Sequence, residues 1–164
     1  MKTLFIGGIK SGKSFLAEIY TIKHANTKPI YLATTEFIDA EMSERILQHK
    51  KQRENNFTTL EEPLRLNSIV TNIDNIVLVE CVSMWINNML YHEYTFDDIK
   101  KEIQLILAQE KNIVFVLNDV GSGIIPDNKL AREFVDISGK LSQLIASECN
   151  EVYHTIAGIS TKIK

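Results

Sequence analysis

Five short runs of apolar and β-branched residues, 3–6, 30–33, 76–80, 113–117 and 152–157, alternate with longer stretches whose apolar positions recur at helical spacing. Several of these runs are apolar on both faces, as expected of strands covered from both sides. The pattern therefore predicts an α/β domain with a mostly parallel central sheet flanked by helices. Helices are predicted over 13–24, 39–53, 83–91, 96–109 and 128–149, and 57–61 reads as one more short strand closed by Pro63. Thr95 and Asp98 have capping-box spacing, while Pro126 and Asn128 suit the start of the last helix. No repeat, linker or low-complexity tract divides the chain, so residues 1–164 read as one domain.

The first strand runs directly into Gly7-Gly8-Ile9-Lys10-Ser11-Gly12-Lys13-Ser14, which fits the phosphate-loop pattern G-x-x-x-x-G-K-[ST]. Glycines let the backbone wrap an anion, so that amide N–H groups and the positive end of the next helix point at phosphate oxygens. Lys13 then reaches the β- and γ-phosphates and Ser14 a Mg²⁺. This predicts a nucleoside triphosphate as ligand and leaves the chemistry open. Strand 76–80 ends in Glu80, at the place where phosphate-loop proteins put the carboxylate that holds Mg²⁺ or its water.

Composition narrows the rest. With 45% hydrophobic and 24% charged residues over 164 positions, one core suffices without a staple. Cys81 and Cys149 form no C-x-x-C pair and four scattered histidines offer no zinc spacing, which suits a reducing cytoplasm. No apolar run approaches the ~18 residues of a membrane span. A net charge of −3 argues against nucleic acid as a partner.

Two further segments carry candidate chemistry. Residues 118–127 place Gly121 and Gly123 in a loop at the carboxyl end of a strand, the edge where open α/β sheets bind ligands. In the predicted helix 39–53, Arg45, His49 and Arg53 follow one another at i+4 spacing beside an inward stripe of Met42 and Ile46. On the residues alone this is a solvated basic face or an anion cradle. The chain lacks an Asn-Lys-x-Asp guanine-reading motif, since Asn128-Lys129-Leu130-Ala131 departs at its last position, so it is no ordinary switch GTPase.

Taken together, several segments resemble one family. They are the phosphate loop, Tyr31-Leu32-Ala33-Thr34, Glu41-Met42 with Arg45-Ile46 and His49-Lys50, Glu80-Cys81, Asn118-Asp119-Val120-Gly121-Ser122-Gly123-Ile124-Ile125-Pro126, and Ala157-Gly158-Ile159. The family is the bifunctional adenosylcobinamide kinase/adenosylcobinamide-phosphate guanylyltransferase of cobalamin assembly, and the match runs from the first strand to Lys164. The resemblance implies a RecA-like P-loop NTPase fold assembled as a homotrimer, with Mg²⁺, ATP or GTP, and adenosylcobinamide and its phosphate as ligands. It implies two reactions: phosphorylation of adenosylcobinamide, then transfer of GMP from GTP through a guanylyl-histidine to give adenosylcobinamide-GDP. His49 matches the guanylylated histidine. Gly7, Gly8, Ile9, Lys10, Ser11, Gly12, Lys13 and Ser14 match the triphosphate loop. Ala33, Thr34, Thr35, Lys50, Lys51, Gln52, Arg53, Glu61 and Glu80 match nucleotide-contacting positions. Lys10 stands where the family usually has Arg, a point charge in place of a planar fork.

Two other readings stay open on the sequence. One is a single-activity P-loop kinase with His49 a surface residue; the other is a nucleotide-binding assembly module without catalysis.

Overall fold

In the computed structural model, which describes residues 1–36 and 55–164, the apolar runs form β1 (Lys2–Gly7), β2 (Ile30–Ala33), β3 (Thr58–Glu61), β4 (Val77–Glu80), β5 (Ile113–Asn118) and β6 (Glu151–Ile156). A seventh strand, β7 (Ile159–Lys162), follows. The helices are α1 (Lys13–His24), α2 (Leu66–Thr71), α3 (Val82–Tyr91), α4 (Phe96–Leu107) and α5 (Lys129–Glu148). The strands form one sheet in the order β3-β2-β4-β5-β1-β6-β7, parallel throughout except for the antiparallel β6–β7 hairpin.

Side chains alternate across a strand, so a strand apolar at every position serves two cores at once. Leu4, Val77, Val79, Ile113, Phe115 and Leu117 join the larger core with Trp85, Ile99, Ile103, Leu141 and Ile145 from α3, α4 and α5. Their immediate neighbours Phe5, Leu78, Val114 and Val116 turn to the opposite face, where Ala17 of α1 covers them. No helix among the described residues is long and apolar enough to cross a membrane.

The expected caps form as read. Thr95 Oγ1 accepts from Asp98 N–H at 3.3 Å while Asp98 Oδ2 accepts from Thr95 N–H at 2.9 Å, and Asn128 Oδ1 accepts from Ala131 N–H at 3.1 Å. The strand expected over 57–61 is β3, and the other ends shift by one or two residues.

Two elements were not foreseen. Helix α2 is six residues long and buries only Leu66 and Val70, too short a stripe for periodicity to register. β7 is mostly exposed, and a two-residue turn with φ of 49° at Ala157 and 80° at Gly158 folds it back on β6. At the far end of this hairpin, Glu151 accepts hydrogen bonds from Lys162 Nζ at 2.6 Å, Tyr20 Oη at 2.7 Å and Tyr153 Oη at 3.0 Å, tying the hairpin to α1. The helix expected over 39–53 lies outside the described residues.

Candidate active site

The loop between β1 and α1 is shaped by three constraints. A Cβ on Gly7 would lie 2.3 Å from the Thr155 carbonyl oxygen, so only glycine lets β1 pair this closely with β6. Gly12, the residue before α1, is left-handed with φ of 95°, a conformation glycine adopts without steric cost. Ser11 N–H closes a turn onto Gly8 O at 3.2 Å. Lys13 is 6% exposed, and its Nζ donates to the same Gly8 carbonyl at 3.3 Å, which folds the ammonium over the loop. Gly8 is open, and Ile9 and Lys10 are exposed. The first turn of α1 contains no acidic residue, so the positive end of its dipole is left for an anion.

Ser14 is the second residue of α1, and its Oγ donates to Glu80 Oε1 at 2.7 Å. Glu80 is the last residue of β4. The parallel register sets it beside Ala33, and Ala33 beside Glu61, so three sequence-predicted residues share the carboxyl edge of adjacent strands. Glu61 is exposed there and Ala33 half-buried. Thr34 is fully buried: its N–H donates to Glu80 O at 3.0 Å, and its hydroxyl accepts from Cys81 N–H at 3.0 Å and donates to Cys81 O at 2.9 Å. Its side chain thus serves the β4 terminus. Thr35 is half-buried, and Glu36 accepts from His92 Nε2 at 2.9 Å. Burial, aided by the Glu80 charge, raises the Cys81 thiol above its ordinary range, so it stays protonated beside the site.

Two other segments close on the phosphate loop. Gly158 N–H, at the tip of the β6–β7 hairpin, donates to Ser11 O at 2.7 Å. A trans peptide holds its C=O and N–H antiparallel, so anchoring the Ser11 carbonyl on the hairpin aims the Gly12 N–H the opposite way. Sequence reasoning missed this contact; the signal available was the Ala-Gly pair between two β-branched segments. The loop after β5 is rooted on the other side, where Asp119 N–H donates to Gly7 O at 2.9 Å. Ser122 Oγ donates to Asp119 Oδ2 at 2.7 Å, and Arg132 Nη1 bonds the carbonyls of Pro126 and Asp127 at 2.9 and 2.6 Å. Between these ties Ile124 and Ile125 stand almost wholly exposed.

The sequence-predicted residues Gly7 to Ser14, Ala33, Thr34, Thr35, Glu61 and Glu80 therefore gather at one edge of the sheet. His49, Lys50, Lys51, Gln52 and Arg53, with Arg45, lie outside the described residues. Among the described residues no three His, Cys, Asp or Glu side chains cluster as a metal site. What the edge offers is an ammonium, a helix amino end and a hydroxyl–carboxylate pair, an arrangement suited to a phosphate chain with a hard cation.

A sequence model of the family described as cobinamide kinase/cobinamide phosphate guanyltransferase matches residues 3–163. The Escherichia coli (strain K12) bifunctional adenosylcobalamin biosynthesis protein CobU is 34% identical over 184 residues, covering 100% of both chains. The Pseudomonas aeruginosa bifunctional adenosylcobalamin biosynthesis protein CobP is 34% identical over 170 residues, covering 100% of this chain and 98% of that protein. Among solved structures, a prototypical ATPase from the type III secretion system of pathogenic bacteria superposes with a TM-score of 0.55 at 12% identity. That superposition covers 98% of this chain and 56% of the other, a likeness of fold that matches the RecA-like P-loop architecture.

Proposed function

The chain belongs to the cobinamide kinase/cobinamide phosphate guanyltransferase family, and from that premise we propose that one triphosphate site, built on Lys13, Ser14 and Glu80, serves both of its reactions. The observation that carries this reading is the 2.7 Å contact of Ser14 Oγ with Glu80 Oε1 at the amino end of α1, beside the buried Lys13. Ser14 and Glu80 would hold Mg²⁺, since hydroxyl and carboxylate oxygens are the hard donors it takes. When bound, the ion neutralises charge on the phosphate oxygens.

In the kinase step the aminopropanol hydroxyl oxygen of adenosylcobinamide forms a bond to the γ-phosphorus of ATP or GTP, the β–γ bridge breaks, the nucleoside diphosphate leaves, and the hydroxyl proton passes to solvent. The transition state is loose and anionic, so the protein supplies position and positive charge. Lys13 and the backbone N–H groups opening α1 provide both, and Lys10 adds a cation at the loop's exposed rim.

In the second step a ring nitrogen of His49 bonds the α-phosphorus of GTP as the bond to the bridging oxygen breaks and pyrophosphate departs. A phosphate oxygen of adenosylcobinamide-phosphate then takes the GMP, the P–N bond breaks, and the imidazole is released. An imidazole of ordinary pKa, about 6.5, is roughly three quarters neutral at pH 7 and attacks without a dedicated base. Arg45, Lys50 and Arg53, close to it in sequence, bring positive charge that offsets phosphate charge in this reading. Ala33, Thr35, Lys51, Gln52 and Glu61 complete the nucleotide-contacting set in this reading.

The experiment is mass spectrometry of the protein after incubation with GTP and Mg²⁺. The wild type gains one GMP, and His49→Ala gains none while its kinase turnover persists. An undiminished adduct in His49→Ala overturns the assignment. We place the enzyme in the cytoplasm as a homotrimer. The exposed stripe Phe15, Ile19 and Ile22 along α1 is the kind of face a second copy covers, and sedimentation equilibrium reads the assembly directly.

A further inference from the structure

We propose that Asn88 is a positioning residue for Glu80, its buried amide acting through Thr34 to fix the end of β4 where Glu80 meets Ser14. The proposal rests on the reading of Ser14 and Glu80 as the Mg²⁺-holding pair.

Helix α3 starts two residues after Glu80 and sends three side chains with polar atoms inward, onto the backbone at the end of β5 and just past β3 and β2. Ser83 Oγ accepts from Asn118 N–H at 2.9 Å, which pins the end of β5. Trp85 Nε1 donates to Leu64 O at 2.8 Å. Asn88 Nδ2 donates to Thr34 O at 2.6 Å and to Pro63 O at 3.1 Å, gathering the residues just past β2 and β3. The helix is thus a fixed bar against which the strand ends at the site are aligned.

Asn88 is fully buried, and its Oδ1 has no hydrogen-bond partner among the described residues. A buried amide with one acceptor unmet detracts from stability, which its two donor bonds to Thr34 O and Pro63 O offset. The bond to Thr34 O also orients Thr34. With its carbonyl held by Asn88, Thr34 turns its N–H to Glu80 O and its hydroxyl to both polar atoms of Cys81. The two peptide units after Glu80, on either side of Cys81, are then fixed, and with them the end of β4 from which the Glu80 carboxylate leaves the strand. Ser14, on a different element, receives that direction as a 2.7 Å contact. Partners one step removed from a metal commonly alter affinity or activity about 10- to 100-fold when lost.

The test measures binding of a fluorescent GTP analogue to the full-length protein with and without Mg²⁺, in Asn88→Ala, Thr34→Val and Glu80→Gln. We expect the Mg²⁺-dependent gain in affinity to fall about tenfold in Asn88→Ala and Thr34→Val, while metal-free binding of Asn88→Ala stays within about twofold because Lys13 and the loop are untouched. Glu80→Gln removes the gain. If Glu80→Gln loses the gain while the other two variants keep it, the positioning role is overturned and the metal-holding pair stands. If Glu80→Gln itself keeps the gain, the reading beneath falls and this one with it. Equal losses with and without Mg²⁺ mark a general structural defect and also overturn the proposal. Thr34→Val, which preserves side-chain volume and the backbone bonds, decides the matter should Asn88→Ala fail to fold.

Discussion

Ser14 and Glu80, 66 residues apart in sequence, meet through a 2.7 Å hydrogen bond that joins the first turn of α1 to the carboxyl end of β4. The pair places a neutral and an anionic oxygen together where the amino end of α1 draws a phosphate chain. Ser14→Ala keeps the fold, because Ser14 is only half-buried, and removes one of the two oxygens. Its turnover should fall by about 10- to 100-fold, with a raised Mg²⁺ requirement measurable in a titration of kinase rate against Mg²⁺.

Lys13 is buried against Gly8 O, so its ammonium is already bent over the loop before a ligand arrives. Lys13→Ala should depress phosphorylation and guanylyl transfer together, each by about 100-fold or more if charge neutralisation dominates. Separate assays of the two half-reactions check this. A near-normal rate in either would show that the two donors do not share the site.

Gly7 and Gly8 are adjacent in sequence and opposite in tolerance. A methyl at Gly7 meets Thr155 O at 2.3 Å and Ser11 Oγ at 2.8 Å, whereas nothing stands within 4 Å of one at Gly8. Gly7→Ala should lower stability by about 1–3 kcal/mol through forced separation of β1 and β6, and Gly8→Ala should stay within about 1 kcal/mol of wild type. Paired denaturant titrations separate the two.

Glu151 predicts an acid limb to stability. Lys162 and Tyr20 hold its carboxyl at about 2 against an ordinary 4.5. A group depressed in the folded state stabilises above its unfolded pKa, so this contribution is complete above about pH 4.5 and is lost as pH falls toward about 2. Tyr20, raised to about 12 chiefly by burial, works in the other direction. The unfolded phenol gives up its proton first, so stability declines between about pH 10 and 12. Glu151→Gln should flatten the acid limb in melting temperatures recorded against pH, with the exposed position of the pair keeping the effect modest.

The phosphate loop was legible because its requirements are local: glycine at fixed offsets, a lysine and a hydroxyl, directly after a strand. The central strands were legible for a similar reason, since burial on two faces leaves uninterrupted apolar runs. Thr34 was picked out for nucleotide contact, yet its side chain is spent on Cys81, a pairing that only the β2–β4 register reveals. Asn88 escaped altogether, and Gly158 stood out only through the resemblance, because a contact across 147 residues, as from Gly158 to Ser11, leaves no periodic trace. The exposed strand β7 lacks the apolar signature by which the buried strands were found.

The placement of β1 between β5 and β6 has a consequence for biosynthesis. β1 pairs Lys2 with Ile113 and Thr3 with Glu151, and the loop that follows it leans on Gly158. During vectorial synthesis β1 is made before β5 and β6 and has no native strand partner until they follow it from the ribosome. Such long-range closure slows folding, and the nucleotide cradle, although it directly follows β1, acquires its shape only once these later strands have joined the sheet.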